Sequence, residues 1–176
     1  MELLDVLDEN GNLTGMAEER KVVHQKGLWH KHAGVMIMNK KGEILFQQRA
    51  MVKKVNPGKW TRTGGHVDSG ETALEGVQRE TYEEIGVKIP LENFKLVSIE
   101  KREAGKSFVY SYIAIVDYKI EDYKLQKEEV MDIKYFTIEQ IEKLYNEKDQ
   151  NYTFIHWNDM EEILKLLRQT RKEILE

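Results

Sequence analysis

The stretch Gly65-His66-Val67-Asp68-Ser69-Gly70-Glu71-Thr72-Ala73-Leu74-Glu75-Gly76-Val77-Gln78-Arg79-Glu80-Thr81-Tyr82-Glu83-Glu84-Ile85-Gly86-Val87 decides how this chain is read. From about Thr72 to Ile85 it keeps a helical period: Leu74, Val77, Thr81 and Ile85 recur every three or four residues and stack on one stripe. Advancing ~100° per residue, Glu80, Glu83 and Glu84 fall in one sector beside that stripe. Gly76 shares the sector one turn earlier and leaves room there for something bulky. Like charges at i, i+3 and i+4 repel one another, so helix propensity does not call for them. A hard divalent cation such as Mg²⁺ or Mn²⁺ does, because it takes oxygen ligands and keeps water and phosphate oxygens beside them. An acidic run alone reads equally well as a solvated helix face. The glycines and Arg79 at fixed spacing weigh against that reading.

Outward from this helix the chain alternates short strands with a few helices. Leu3–Leu7, a turn through Asn10-Gly11, and a return at Leu13–Met16 read as an N-terminal hairpin. Arg20–Lys26 reads as a short helix stopped by Gly27. Strands are expected at Trp29–Asn39, Ile44–Arg49, Phe94–Arg102, Ser107–Tyr118 and Val130–Phe136, with the Trp60–Gly65 segment leading into the helix. Thr137 is placed to cap a helix through about Asn146. Asn158 or Asp159 caps a last helix, whose apolar stripe is read as Ile163, Leu166, Leu167 and Ile174. Strands interleaved in this way imply an α/β fold with helices packed on a mixed β-sheet. No repeat, low-complexity stretch or linker interrupts the pattern, so residues 1–176 read as one domain.

Composition narrows the function. The chain has 176 residues, 40% of them hydrophobic, which is enough to bury a core. Its net charge of −4 argues against nucleic acid or a membrane surface as the main partner. It has no cysteine, which excludes disulfides and thiol catalysis. The start, Met1-Glu2-Leu3-Leu4-Asp5, lacks the basic and apolar regions of a signal peptide, so a cytoplasmic protein is expected. Oligomeric state is left open, a homodimer included.

Gly65, Glu71, Arg79, Glu80, Glu83, Glu84 and Gly86 together resemble the box of the Nudix (MutT-like) family; Thr81 stands where that family usually has an aliphatic residue. The resemblance implies an α/β/α sandwich. It implies hydrolysis of a diphosphate linkage in a small molecule, such as a nucleoside diphosphate derivative, by metal-activated water. Glu80, Glu83 and Glu84 would hold Mg²⁺ or Mn²⁺ with the Gly64 carbonyl, and Arg79 with Glu71 would orient them. Glu129 precedes an apolar strand where related proteins often supply another acid, and Glu128 is its alternate; a box carboxylate or Glu129 would act as base. Arg49, His66 and Trp60 are candidates for substrate contact. Arg49 pairs with phosphate or makes a surface salt bridge, while Lys53 and Lys54 read as a solvated loop.

A second resemblance covers roughly Leu3 to Phe136. His24–His30, Gln47-Gln48-Arg49-Ala50 and Pro57-Gly58-Lys59-Trp60 are similar to the isopentenyl-diphosphate-isomerase-like branch of the same family. His24, His30 and His66 match the three metal-binding histidines of true isomerases. The catalytic cysteine of that branch falls at Gly64, and no acid stands between Ser107 and Tyr110, where its glutamate belongs. The histidines therefore have two readings: polar packing around Trp29 and Trp60, or a second metal or phosphate contact. Isomerase-like activity and a non-catalytic nucleotide-binding protein are the alternatives to hydrolysis.

Overall fold

The computed structural model describes residues 2–176. Its spine is β3 (His30–Asn39), in which every residue from Ala33 to Met38 is buried. An apolar run of this length is covered on both faces. Along one edge β3 pairs in parallel with β8 (Ser107–Val116) over its full length, and β7 (Phe94–Arg102) continues antiparallel beyond β8.

The other edge of β3 forks. At Ile37 and Met38 it pairs with β4 (Ile44–Arg49), and from His32 to Val35 it pairs instead with β6 (Thr63–His66). β4 leans away, pairing with β5 (Trp60–Thr61) at Gln47 and Gln48 and with β9 (Val130–Phe136) on its far side. The segment from Trp60 to His66 thus crosses from β4 to β3, and Arg62 is the residue at the crossing. The result is a mixed, seven-stranded sheet among the described residues.

Side chains alternate across that sheet and feed two cores. Ala33, Val35, Ile37 and Leu45 meet Val77 and Ile85 of α2 (Ala73–Ile85) on one face. Met36, Met38, Ile44 and Phe46 meet Ile141 of α3 (Ile138–Asn146) and Ile163 and Leu167 of α4 (Met160–Leu175) on the other. Helices on both faces make the α/β/α sandwich. β1 (Leu3–Leu7) and β2 (Leu13–Glu19) form a separate ribbon, followed by α1 (Arg20–Lys26), which ends at a left-handed Gly27. The Asp5 carboxylate anchors the ribbon to the loop before α2, accepting hydrogen bonds from Ser69 Oγ at 2.6 Å and Gly70 N at 3.1 Å. Among the described residues no helix is long and apolar enough to cross a membrane.

Several boundaries differ from the sequence reading. β2 runs on to Glu19 because it follows β1 back to Leu3. β8 ends at Val116, where its partner β3 ends at Asn39. The buried stripe of α4 takes in Leu164 and Thr170, whereas Leu166 is only partly covered. Asp159 occupies the N-cap position without a capping bond; its carboxylate faces Ser98 Oγ at 3.5 Å. A short turn of helix at Thr153–His156, unmarked by any period, buries Phe154 completely against Phe46.

Candidate functional site

α2 begins at a reciprocal cap. Thr72 Oγ1 accepts from Glu75 N at 3.2 Å, and the Glu75 carboxylate accepts from Thr72 N at 2.8 Å. This starts the helix where the loop leaves β6, so the carboxylates two turns later face the strand end. Arg79 is their hub. It donates through Nε and Nη2 to the two oxygens of Glu71 at 2.9 and 3.1 Å, and through Nη1 to Glu80 at 3.0 Å and Glu83 at 3.1 Å. Its Nη2 also donates to the His66 carbonyl at 3.0 Å, tying the helix to β6. Burial opposes the Arg79 charge, but the surrounding carboxylates outweigh it and hold its pKa above the usual guanidinium range.

The three box carboxylates differ in depth. Glu83 is exposed, Glu80 is partly covered, and Glu84 is buried. Burial pushes Glu80 up to about 7, against the pull of Arg79, and Glu84 up to about 8, against a hydrogen bond from Gln47. Glu80 lies against Gly65, where a Cβ would stand 2.6 Å from the carboxyl carbon. Gly64 has φ +150°, and a Cβ there would meet the Ala33 carbonyl oxygen at 2.2 Å, so only glycine lets β6 approach β3 this closely. The space beside Gly76 is not open for a ligand: Val67 and a Glu71 oxygen fill it, at 3.1 and 3.3 Å from a built Cβ.

Sequence reading did not single out the support beneath Glu84. Thr63 Oγ1 donates to Gln47 Oε1 at 2.9 Å, and Gln47 Nε2 donates to Glu84 Oε2 at 2.8 Å. The backbone N–H of Gly64 donates to the same oxygen at 3.3 Å. The one available signal was a polar Gln47 following Ile44-Leu45-Phe46 within a buried strand. Two carboxylates raised by desolvation, with a third beside them and oxygen donors throughout, suit a hard divalent cation that replaces the missing positive charge.

These groups line a cavity of about 970 Å³ that reaches through the fork between β3 and β4. Glu129 also lines it, close enough to Glu84 to help raise that carboxyl, and is paired with Lys53. Lys53 is therefore tied to an acid rather than simply solvated. Arg49 also lines the cavity, its Nε donating to the Val55 carbonyl at 2.9 Å. Trp60 does not join them; its ring packs edge-on against Phe136, 5.7 Å between centroids, because its strand position faces the α3/α4 core.

The histidines do not pack around Trp29 and Trp60. Trp29 packs with Leu7 and Phe108 instead. His24, His30 and His66 gather instead, with one ring nitrogen from each within 4.8 Å of the others and His24 Nε2 3.0 Å from His66 Nε2, and the His32 ring stands edge-on to His66, 5.3 Å between centroids. Burial lowers the pKa of His30 and pushes His66 down to about 2, so these two imidazoles are neutral and keep lone pairs for a cation.

The NUDIX domain family model matches residues 28–158. The chain is 32% identical over 163 residues to "Nudix hydrolase 3" of Arabidopsis thaliana, covering 86% of this chain and 21% of that protein. It is 38% identical over 86 residues to an isopentenyl-diphosphate Delta-isomerase of Streptomyces avermitilis, 48% of this chain and 44% of the isomerase. The chain thus spans about a fifth of the plant protein and under half of the isomerase. A crystal structure of a Deinococcus radiodurans protein superposes with a TM-score of 0.72 at 19% identity, covering 94% of this chain and 99% of that one.

Proposed function

The chain belongs to the Nudix hydrolase family, and from that premise we propose that it hydrolyses the diphosphate linkage of a nucleoside diphosphate derivative or related small molecule, with Mg²⁺ or Mn²⁺, as one domain. The observation that carries this reading is the pair Glu80 and Glu84, sunk beside Gly64 and Gly65 and raised to about 7 and 8 by burial. Carboxylates in that state would be recharged by a bound divalent cation, which would also supply positive charge for an anionic substrate.

A bound divalent ion supplies charge neutralisation at phosphorus and makes water more acidic. The residues do the rest. Glu80, Glu83, Glu84 and the Gly64 carbonyl would hold the ion. Arg79, clamped by Glu71, keeps Glu80 and Glu83 turned toward it, and Gln47 keeps Glu84 in place. Glu129, whose charge reaches Glu84, or a box carboxylate would take the proton from the attacking water. Arg49 lies where a second phosphate can pair with its guanidinium.

Formation of phosphomonoester products, read as phosphate after phosphatase treatment, from a panel of nucleotides, dinucleotides and prenyl diphosphates with Mg²⁺ tests the proposal. Glu83→Gln is expected to abolish most turnover, and full turnover at saturating Mg²⁺ would refute the assignment. The gathered histidines favour a second, isomerase-like reading. Against it stand the absence of any cysteine and of an acid between Ser107 and Tyr110. No deuterium exchange into isopentenyl diphosphate is expected. Nucleotide binding without hydrolysis of any panel member would instead identify a non-catalytic binding protein.

A further inference from the structure

Arg62 stands at the crossing between β5 and β6, and its side chain runs to the α3/α4 face of the sheet, opposite α2. Nη1 donates to Ser111 Oγ at 2.9 Å, and the guanidinium lies over the Trp157 ring at 4.7 Å. Gly34 makes way for it: a Cβ there would stand 2.5 Å from Nε. Among the described residues no carboxylate forms an ion pair with this guanidinium. The nearby acids are otherwise engaged: Glu100 binds Arg102 at 2.7 Å and accepts from Asn158, and Asp159 faces Ser98. Arg102, paired with Glu100, stands on the same wall, and both arginines line the cavity. Burial, with Arg102 beside it, pushes Arg62 down to about 10. His32 lines the cavity on this face as well, and among the described residues its Nδ1 is the buried side-chain atom left without a hydrogen-bond partner.

A half-buried guanidinium without an ion-paired carboxylate, beside a second arginine and an imidazole with an unmade bond, is open to an anion that enters the cavity. The fork supplies a route to it, because one continuous cavity reaches Glu84 on the α2 side and Arg62 and Trp157 on the other.

We propose that Arg62, Arg102 and His32 form a second anion-binding subsite. It takes an oxyanion, a phosphate monoester or a carboxylate, that the substrate carries on the far side of the sheet from its reacting diphosphate. The inference rests on the reading that the diphosphate reacts at the glutamates, and it narrows the substrate to molecules with an additional negative group.

Two matched pairs test it by calorimetry at low salt with Ca²⁺, which takes the same oxygen ligands, in place of Mg²⁺, each ligand being checked as intact afterwards. UDP-glucuronate differs from UDP-glucose by a carboxylate, and NADPH differs from NADH by a phosphate. The wild type is expected to bind the more charged member of at least one pair about tenfold more tightly, the scale of one charge-assisted bidentate contact. The pair that responds identifies the oxyanion. Arg62→Gln should bring that ratio to within about twofold. Arg102→Gln should lower it as well, and it serves in place of Arg62→Gln should the latter fail to fold. Equal binding within both pairs, or a preference untouched by the folded variants, overturns the subsite. Turnover with Mg²⁺ is measured separately: loss of turnover with the binding preference intact overturns the hydrolase reading and leaves the subsite standing.

Discussion

Helices α2 and α4 both lay an apolar stripe on the sheet, both carry several acids, and treat those acids in opposite ways. On α4, Glu161, Glu162 and Glu173 are exposed, while Met160, Ile163, Leu164 and Leu167 are buried. On α2, Gly76, Thr81 and Glu84 are buried beside Val77 and Ile85. α4 leaves its charges in water, where they cost little. α2 carries the Glu84 carboxylate into the interior, where Gln47 and the bare backbone of Gly64 meet it. One helix holds the sheet together; the other spends stability to place charge. Acid content alone does not separate them, and burial does.

The sharpest way to break this contrast is to neutralise one acid on each helix. Glu84→Gln is expected to lower kcat/KM on the order of 10³-fold, ~4 kcal/mol of transition-state stabilisation. Without metal, and above the Glu84 pKa of about 8, its melting temperature should rise, because the buried charge is gone while the oxygen facing Gln47 and Gly64 remains. Glu161→Gln should change neither quantity. A matching loss from Glu161→Gln, measured in the same assay, would erase the distinction.

Next in size, Leu167→Ala on α4 removes a side chain only 1% exposed and should destabilise the fold by ~2–5 kcal/mol. Thermal unfolding should drop by about 2–4 °C per kcal/mol, with the response to Mg²⁺ kept. Mg²⁺ at about 100 times its dissociation constant should stabilise the wild type by ~2.7 kcal/mol, and Glu84→Gln should abolish most of that gain. An unmoved melting curve at millimolar Mg²⁺ and Mn²⁺ would mean that α2 holds no cation. Thr72→Ala should cost about 1 kcal/mol through the lost cap, whereas α4, with no side-chain cap at Asp159, should tolerate Asp159→Ala better.

The smallest effect concerns the ribbon that steadies the loop before α2. Burial pushes the Asp5 pKa up, but hydrogen bonds from Ser69 and Gly70 and the Lys31 charge outweigh it and hold it below the usual range. A depressed folded pKa stabilises above the unfolded value, and the contribution is lost as pH falls through the folded one. Asp5→Asn should therefore cost up to about 1 kcal/mol at neutral pH. Urea titrations should show that difference shrinking toward zero as the pH drops below about 4. A constant gap across that range would place the effect in packing instead of charge.

The helix period, the cap at Thr137, the stop at Gly27, and the strands Ile44–Arg49, Phe94–Arg102 and Val130–Phe136 were legible because each is written in a window of about 15 residues or fewer. The same locality puts Glu80, Glu83, Glu84 and Arg79 together, since residues three and four apart on a helix are neighbours in any fold. Leu166 was misplaced and Leu164 overlooked because α4 offers two adjacent apolar stripes, and only the sheet beneath selects between them.

The sequence by itself determined the family, the order of elements and the presence of an acid-loaded helix, all of which follow from local period and spacing. Tertiary structure alone decided the depth of each acid, the Gln47 bond to Glu84 across 37 residues and the Lys53 bond to Glu129 across 76. It also decided that Trp60 would serve the core and that Arg62 would stand without an acid partner. Those outcomes depend on which residue faces which across a strand pair, and on how far β3 and β4 splay. Desolvation and partner choice are properties of the assembled neighbourhood, and no window of sequence contains it.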